Sequence, residues 1–260
     1  MKDPLISIII PTLNEEKYLP NLLNSIRKQS YNKYEIIVAD ANSTDETVEI
    51  AKSFGAYVVS GGKPARGRNN GAKFSNGEYL LFLDADVVLP DNFLEKAVYE
   101  FDLFYYEVAT FRFKPISQLK IDHTLFKLAN ILIERTKKIY PLAPGFCIIC
   151  TRRIFRKIGG FDESLYLAED HDFVKRASKY SKFGIIKQTN IFVSVRRLEK
   201  EGRVNLLRKY FMVEVYRILK KRIDREILEY EFGSFEKVNK LNKLEEFLEK
   251  VIDKLSKVRK

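Results

Sequence analysis

Short apolar runs alternate with amphipathic segments along the first part of the chain. Each run is five or six residues long and ends in polar or turn-forming residues, as buried strands do. The runs cover residues 5–10, 34–39, 56–60 and 79–83. Apolar residues recur at helical spacing from Leu19 to Ile26, and Ser43 and Thr44 mark a second helix start. This alternation predicts an α/β fold with a doubly wound, mostly parallel mixed sheet flanked by helices.

The middle of the chain continues this pattern around one segment of different character. Residues 61–71 read GGKPARGRNNG, which predicts a flexible loop rich in glycine and arginine. Further helices are predicted at residues 93–106, 125–140, 152–158 and within the segment 167–180. Further strands are predicted at residues 108–113 and around residues 147–150.

Residues 201–260 predict a basic, amphipathic helical extension with two segments. Residues 204–223 mix apolar and basic side chains, which suits packing on the domain and contact with a membrane interface equally. The second segment repeats apolar residues every three or four positions, at Leu241, Leu244, Leu248, Val251, Leu255 and Val258. This repeat is a short heptad seam, for which packing on the same subunit is favoured over a homodimer zipper.

Charge restricts the kinds of partner. The chain has 260 residues and a net charge of +11, and residues 196–260 hold nineteen Lys and Arg against twelve Asp and Glu. This excess suits nucleotides, nucleic acid or an acidic membrane surface. No apolar stretch is long enough to span a bilayer. The first four residues, MKDP, run straight into the predicted first strand and do not resemble a secretory leader. We therefore expect a cytoplasmic protein. Abundant Lys and Glu favour a thermophilic source.

The two cysteines, Cys147 and Cys150, stand in one apolar run. Positions three apart on a strand point to opposite faces of the sheet. A metal-binding or redox pair normally has a turn between its cysteines. We therefore expect two buried thiols without a disulfide.

Asp84 and Asp86 directly follow the apolar run Tyr79–Leu83. Alternate residues of an extended chain point to the same side, so the two carboxylates lie together and repel each other. A hard divalent cation that also carries phosphate oxygens would offset this repulsion. The alternative is a strand that ends in a polar turn before Pro90, and the local pattern does not decide between the two.

Other charged residues follow predicted parallel strands in the same way. Glu15 follows the first strand, Asp40 the second, and Arg66 and Arg68 the third. Open α/β sheets bind ligands along the edge that the carboxyl ends of their strands form. We therefore expect these side chains to share one crevice with the two acids after the fourth strand.

Six segments together resemble a family 2 glycosyltransferase, a nucleotide-sugar-dependent enzyme with the GT-A fold. They are, in chain order, ISIIIPTLNEEKYL, EIIVADANSTDET, GRNNGA, GEYLLFLDAD, GGFDE and AEDHDF. The resemblance implies a GT-A domain at residues 1–200, with a nucleotide-sugar half at about 1–90 and an acceptor half at about 91–200. The helical extension at residues 201–260 lies outside the resemblance.

The resemblance also implies roles for residues of the donor side. Pro11, Thr12 and Glu15 would border the nucleoside, and Asp40 would contact the base. Arg68 would reach the base or the diphosphate. The family often carries a second acid after Asp40, where this chain has an alanine, so the resemblance leaves uridine and guanosine both open.

The resemblance places the reacting groups around three acids. Asp86 would ligate Mg²⁺ or Mn²⁺ that bridges the diphosphate, and Asp84 would meet the ribose or a metal-bound water. Asp170 matches the catalytic base of the family. One base without a nucleophile implies a single displacement with inversion at the anomeric carbon, in which the metal offsets charge on the leaving diphosphate.

Three more arginines complete the expected site. Arg66, Arg196 and Arg197 would add electrostatic stabilisation around the diphosphate. The donor would be a UDP- or GDP-linked sugar, and the acceptor a glycan or a lipid-linked molecule. A lipid-linked acceptor would bring the protein to the inner face of the cell membrane as a peripheral protein.

Three other functions compete with this hypothesis. A nucleotidyltransferase would normally carry a glycine-rich phosphate loop after the first strand, where this chain has PTLNEE. A nucleic-acid-binding protein is disfavoured because the basic excess lies in the tail and no zinc, RNP-like or recognition-helix motif is present. A non-catalytic nucleotide-sugar-binding protein would keep the donor site but show no transfer.

Overall fold

The computed structural model describes residues 4–220 and, in the C-terminal tail, residues 241, 245–246, 248–250 and 253. The strands are β1 Ile6–Thr12, β2 Tyr34–Asp40, β3 Tyr57–Ser60, β4 Tyr79–Leu83, β5 Val87–Val88, β6 Val108–Ile116, β7 Cys147–Thr151 and β8 Phe183–Ser194. The helices are α1 Leu19–Arg27, α2 Thr47–Ser53, α3 Pro64–Lys73, α4 Phe93–Leu103, α5 Lys120–Thr136, α6 Arg152–Ile158, α7 Glu169–Ala177, α8 Arg196–Glu201 and α9 Arg203–Lys220.

The described strands form one mixed sheet in the order β3-β2-β1-β4-β7-β6-β8-β5. Strands β1 to β4 pair in parallel, as their helical crossovers predict, and β6 pairs in parallel with β8. The pairs β4–β7, β6–β7 and β5–β8 are antiparallel. The predicted fold class is confirmed, since a mixed sheet is flanked by helices.

Apolar residues fill both faces of this sheet. Strand β4 has four fully buried residues in succession, so its side chains enter the cores on both faces. The cysteines show the same alternation, because Cys147 joins one core cluster and Cys150 the other. Both are free and buried, as predicted, and burial raises the pKa of each thiol.

The prediction of a flexible loop at residues 61–71 is wrong for the part from Pro64 onward, which begins helix α3. Two of the glycines that suggested a loop instead allow close packing of the helix on β1. A Cβ on Gly71 would lie 2.3 Å from Cγ2 of Ile9, and one on Gly67 would lie 3.1 Å from Cβ of Pro11. The glycines thus bring α3 against the strand that leads into the predicted site.

The long strand β8 did not emerge from the apolar pattern, because polar residues interrupt it. Its pairing with β6 shifts in register between Phe111 and Arg112. At this irregularity the carboxylate of Glu100 accepts hydrogen bonds from the backbone nitrogens of Lys187 and Gln188, each at 2.8 Å. Strand β8 ends just before Arg196 and so fixes where α8 begins.

Helices α5 and α9 are joined by side-chain contacts near their first turns and beyond the end of α5. Arg203 at the start of α9 donates to both oxygens of the buried Asp122 of α5, at 2.7 and 3.0 Å. Further along, Tyr140 after α5 donates to Glu214 of α9 at 3.1 Å. No helix within residues 4–220 or the described part of the tail is long and apolar enough to cross a bilayer.

The tail contacts the domain through acidic side chains. Glu245 accepts hydrogen bonds from the backbone nitrogens at the start of α9, and Glu249 from those at the start of α5. Of the predicted heptad positions, Leu244, Val251, Leu255 and Val258 lie outside the described residues, and so do residues 221–223 of the preceding segment. The homodimer zipper therefore stays a prediction.

Candidate active site

The carboxyl ends of β1 and β2 meet through a buried side-chain contact. Oγ1 of Thr12 donates to Oδ1 of Asp40 at 2.9 Å. The same carboxylate accepts from the backbone nitrogen of Ser43 at 2.8 Å and from its hydroxyl at 2.6 Å. Pro11 is half-buried one residue earlier on β1, so the predicted nucleoside residues share this edge.

The loops after β1 and β2 are fastened to each other. The backbone nitrogen of Asn14 donates to Oγ of Ser43 at 2.9 Å, and that of Glu15 donates to Oγ1 of Thr47 at 2.8 Å. Ser43 and Thr44 were predicted to start a helix, but α2 begins only at Thr47. Ser43 instead accepts from Asn14, and the backbone nitrogen of Thr44 donates to Oδ1 of Asn14 at 2.8 Å. The two loops therefore form one rigid wall of the crevice.

Arg68 joins the two sides of the crevice. Its Nη1 lies 2.6 Å from Oε1 of Glu169, and its Nη2 lies 3.0 Å from Oδ1 of Asp84. Nη2 also donates to the carbonyl oxygen of Gly145 at 3.0 Å, and the guanidinium stacks 5.5 Å from the ring of Phe161. With 2% of its surface exposed, Arg68 acts mainly by holding these groups together.

The candidate base stands at the start of α7. Ala168 adopts a left-handed conformation, with φ of 61°, and turns the chain into the helix that begins at Glu169. Burial raises the pKa of Glu169, and the neighbouring carboxylate of Asp170 raises it further against the effect of Arg68. Negative charge at a helix N-terminus is favoured by the helix dipole.

Gly145 is a site residue that the sequence did not single out. A Cβ at this position would lie 3.0 Å from Oδ2 of Asp170 and 2.8 Å from Nη2 of Arg68. A side chain at this position would force the ends of Arg68 and Asp170 to shift, so the glycine lets the loop before β7 approach both groups in their observed positions. The signal available in the sequence was the turn-forming pair of Pro144 and Gly145, which does not reveal what the turn contacts.

Arg196, just beyond the end of β8, pairs with two acids of the crevice, Glu15 and Asp86. It forms a bidentate ion pair with Glu15, with both N–O distances at 2.7 Å, and its Nε lies 2.8 Å from Oδ2 of Asp86. It also stacks on the ring of Tyr18 at 4.4 Å. Burial raises the pKa of Glu15 to about 7 in spite of this arginine, and burial also raises the pKa of Asp86.

The two acids after β4 suit a hard divalent cation. A carboxylate has two oxygens and several lone pairs, so Asp84 and Asp86 can each contact an arginine and still ligate a cation. No cluster of three or more acids, histidines or cysteines suited to a metal occurs in residues 4–220 and the described tail. Two carboxylates match Mg²⁺, which usually takes its other ligands from water and substrate phosphates.

The remaining predicted arginines lie at the margin of this site. Arg66 is exposed on α3, one turn from Gly62, and its placement does not bring it to the two acids. Arg197 follows Arg196 in α8 and is half-buried. Its positive charge lowers the pKa of Asp86, against the larger rise that burial causes. The structure thus groups Glu15, Asp86 and Arg196, and separately groups Arg68, Asp84, Glu169 and Asp170.

The chain is similar in sequence to proteins that are named as glycosyltransferases. Poly(ribitol-phosphate) beta-N-acetylglucosaminyltransferase TarS of Staphylococcus aureus is 30% identical over 183 residues, which cover 66% of this chain and 32% of TarS. An uncharacterised glycosyltransferase of Rickettsia prowazekii is 32% identical over 192 residues, or 65% of this chain and 57% of that protein. The chain thus spans about a third of the length of TarS.

Solved structures agree with this similarity. TarS residues 1–349 in complex with UDP-GlcNAc align with a TM-score of 0.61 and 27% identity, over 73% of this chain and 58% of that chain. The mannosyltransferase PcManGT of Pyrobaculum calidifontis, in complex with GDP-Man and Mn²⁺, aligns with a TM-score of 0.62 over 80% of this chain and 64% of that chain. At 21% identity, PcManGT supports the fold alone.

A family model gives the assignment. The model described as Glycosyl transferase family 2 matches residues 7–159, which run from the second residue of β1 to just past the end of α6 and hold all but three of the predicted site residues. Three predicted residues lie outside the match: Arg196 contacts Asp86 of the matched part, Asp170 lies beside its Gly145, and the charge of Arg197 acts on Asp86. The chain belongs to glycosyl transferase family 2.

Proposed function

We propose that this chain transfers a sugar from a nucleoside-diphosphate sugar to an acceptor hydroxyl by a single displacement with inversion at the anomeric carbon. The observation that carries the proposal is the contact of Arg68 with Asp84 on one side and Glu169 on the other. This contact brings the predicted metal-side acid within one crevice of Asp170, the predicted base. A single displacement requires the base and the leaving diphosphate on opposite sides of the same reacting carbon, so the residues that serve them must line one crevice.

The proposed donor is a UDP- or GDP-linked sugar. The hydrogen-bonded pair of Thr12 and Asp40, with Pro11 beside it, offers polar groups for a base and an apolar ring for its face. A uridine donor is the first candidate, because TarS has been solved with UDP-GlcNAc and is 27% identical to this chain.

Asp86 and Asp84 would hold Mg²⁺ or Mn²⁺ through their carboxylate oxygens. When bound, such an ion supplies neutralisation of the charge that develops on the leaving diphosphate. Arg196 keeps Asp86 and Glu15 in place, and Arg197 adds positive charge beside Asp86. Arg66, exposed at the margin of the site, would contribute only longer-range charge. These residues bind and orient the donor.

Asp170 would accept the proton from the attacking hydroxyl. Its carboxylate lies at the start of α7 with 16% of the side chain exposed, so it is reachable from the crevice yet shielded from bulk water. Gly145 and Arg68 lie beside it, and its Oδ1 accepts a hydrogen bond from the backbone nitrogen of His171 at 2.7 Å. General-base assistance of this kind contributes about 10²–10⁴-fold in rate.

The acceptor would be a glycan or a lipid-linked molecule in the cytoplasm. A lipid-linked acceptor would bring the protein to the inner face of the cell membrane, through its C-terminal helices. Helix α9 supports this arrangement, since its Glu214 lies 3.1 Å from Nδ1 of His171, the residue next to the proposed base. The acceptor side of the crevice and the extension are therefore in direct contact.

A thermal-shift panel tests the donor site. Sugars linked to UDP, GDP, CMP and dTDP are added to the protein with and without Mn²⁺, and the melting temperature is followed. We expect stabilisation by one nucleotide class that depends on Mn²⁺ and is lost in Asp86→Asn. Asp91→Asn is the matched control, because Asp91 is exposed five residues further along. If no nucleotide sugar stabilises the protein in the presence of metal, the proposal fails.

A further inference from the structure

Helices α5 and α9 expose an apolar surface. Leu128, Ile131 and Leu132 of α5 have 57%, 46% and 56% of their surface exposed. Leu207 and Phe211 of α9 are exposed to 44% and 70%. We call these five residues the α5–α9 apolar surface. Arg203 binds Asp122 and Leu206 packs with Phe126, so other residues of the two helices hold α9 against α5. Large exposed apolar side chains grouped on a surface mark a contact site for a protein or a membrane.

The acidic side chains of both helices are turned away from this surface. Asp122 is fully buried against Arg203, and Glu134 pairs with Arg112 of β6 and Lys187 of β8. Glu214, the acid of α9, contacts His171. Each acid is therefore engaged towards the body of the domain.

The exposed charges of the two helices are basic. Lys127 and Arg135 are exposed within α5, Lys138 is exposed just after it, and Arg208 is exposed within α9. A helix with apolar residues between exposed lysines and arginines suits the interface of an anionic membrane, where the apolar side chains enter the acyl boundary and the cations meet the headgroups.

A second copy of this chain suits the surface less well. In a two-fold symmetric dimer the same patch faces itself, so the basic residues around it would approach one another. Like charges in an interface disfavour association. The headgroups of anionic lipids are negatively charged and therefore attract the basic residues around the apolar surface.

We propose that the α5–α9 apolar surface docks on an anionic lipid bilayer. Together with the proposed function, on which this step rests, the docking orients the acceptor side towards the membrane, because α9 also contacts the residue next to Asp170. It therefore favours a lipid-linked acceptor over a soluble glycan. The docking itself needs no donor and no turnover.

Vesicle co-sedimentation tests the docking with the full chain. Vesicles of phosphatidylcholine alone are compared with vesicles that also contain phosphatidylglycerol, at low and high salt. We expect binding to the anionic vesicles only, weakened by salt. We further expect at least about tenfold weaker binding in Ile131→Glu/Phe211→Glu and in Lys127→Glu/Arg135→Glu. Phe74→Glu is the control, because Phe74 is 50% exposed beside Tyr57 of β3, at the far end of the sheet.

Two results would overturn the proposal. In the first, the unaltered protein binds neither kind of vesicle. In the second, the two double variants bind anionic vesicles as strongly as the unaltered protein does. Concentration-dependent dimerisation that Ile131→Glu/Phe211→Glu abolishes would assign the surface to a second copy. Nucleotide-dependent thermal shifts on the same variants separate the two proposals: vesicle binding without any nucleotide effect would refute the donor site and leave the docking surface standing.

Discussion

Arg68 and Glu169 lie 101 positions apart in the chain, and their side chains meet at 2.6 Å. The same guanidinium reaches Asp84 at 3.0 Å. One buried cation thus fixes the distance between the end of β4, where the donor is expected, and the start of α7, where the base is expected. The geometry of the proposed reaction depends on this contact more than on any single loop.

Arg68→Met should destabilise the fold by about 3 kcal/mol, because it leaves the buried carboxylate of Glu169 without its partner. Urea denaturation measures the free energy of unfolding. Arg66→Met is the control on the same helix, and since Arg66 is exposed we expect a change within about 0.5 kcal/mol. Equal stabilities of the two variants would show that the buried contact contributes little.

Asp170→Asn should lower the rate of sugar transfer by about 10²–10⁴-fold and leave donor binding unchanged, because only the acceptance of a proton is lost. Transfer is measured as nucleotide release with an active acceptor, and donor binding as the thermal shift. Asp172→Asn, in the same helical turn, is the matched control, since Asp172 pairs with Arg176 at 2.6 Å instead of facing Gly145. Comparable loss in both variants would remove Asp170 from the role of base.

Gly145→Ala should reduce turnover more than stability. The added Cβ would lie 3.0 Å from Oδ2 of Asp170 and 2.8 Å from Nη2 of Arg68, so the side chains that orient the reaction must move. Gly55→Ala is the control, because its Cβ meets nothing within 4 Å while its φ of 79° carries a backbone cost. We expect the control to lose stability and keep its rate. An unchanged rate in Gly145→Ala would mean that the loop before β7 shifts to accommodate the methyl group, while Asp170 and Arg68 keep their positions.

The sequence predicted the parallel half of the sheet because its strands are short, apolar and separated by amphipathic helices. Asp40, Asp84 and Asp86 were placed correctly at strand ends by that pattern alone. Helix α3 was missed because local propensity treats glycine as a helix breaker. Its glycines serve a tertiary contact with β1, which appears only when the helix is packed.

Contacts between distant positions were also beyond the sequence. Glu15 and Arg196 are 181 positions apart, and each was expected at the site without any indication that they pair. A single sequence shows which side chains carry charge and not which of them meet. Gly145 contributes to the site because it has no side chain where Arg68 and Asp170 approach the backbone. A pattern of apolar and charged residues does not reveal such a position.

The tail holds the two outer helices by their first turns. Glu245 has 1% of its surface exposed, and its Oε1 accepts from the backbone nitrogens of Arg203 at 2.5 Å and Val204 at 3.3 Å. Helices leave their first N–H groups without internal partners, and a carboxylate there also interacts favourably with the helix dipole. Glu245 thus acts as an N-terminal cap for α9, supplied from more than forty residues away.

Glu245→Ala should therefore lower the free energy of unfolding by about 1–2 kcal/mol, as the loss of a buried helix cap does. Glu246→Ala is the matched control, because this substitution removes the same charge from the exposed neighbouring residue. We expect it to change the free energy of unfolding by no more than about 0.5 kcal/mol. Urea denaturation compares the two. If both variants unfold at the same urea concentration, the tail does not cap α9 in solution, and the packing of the extension on the domain loses its main support.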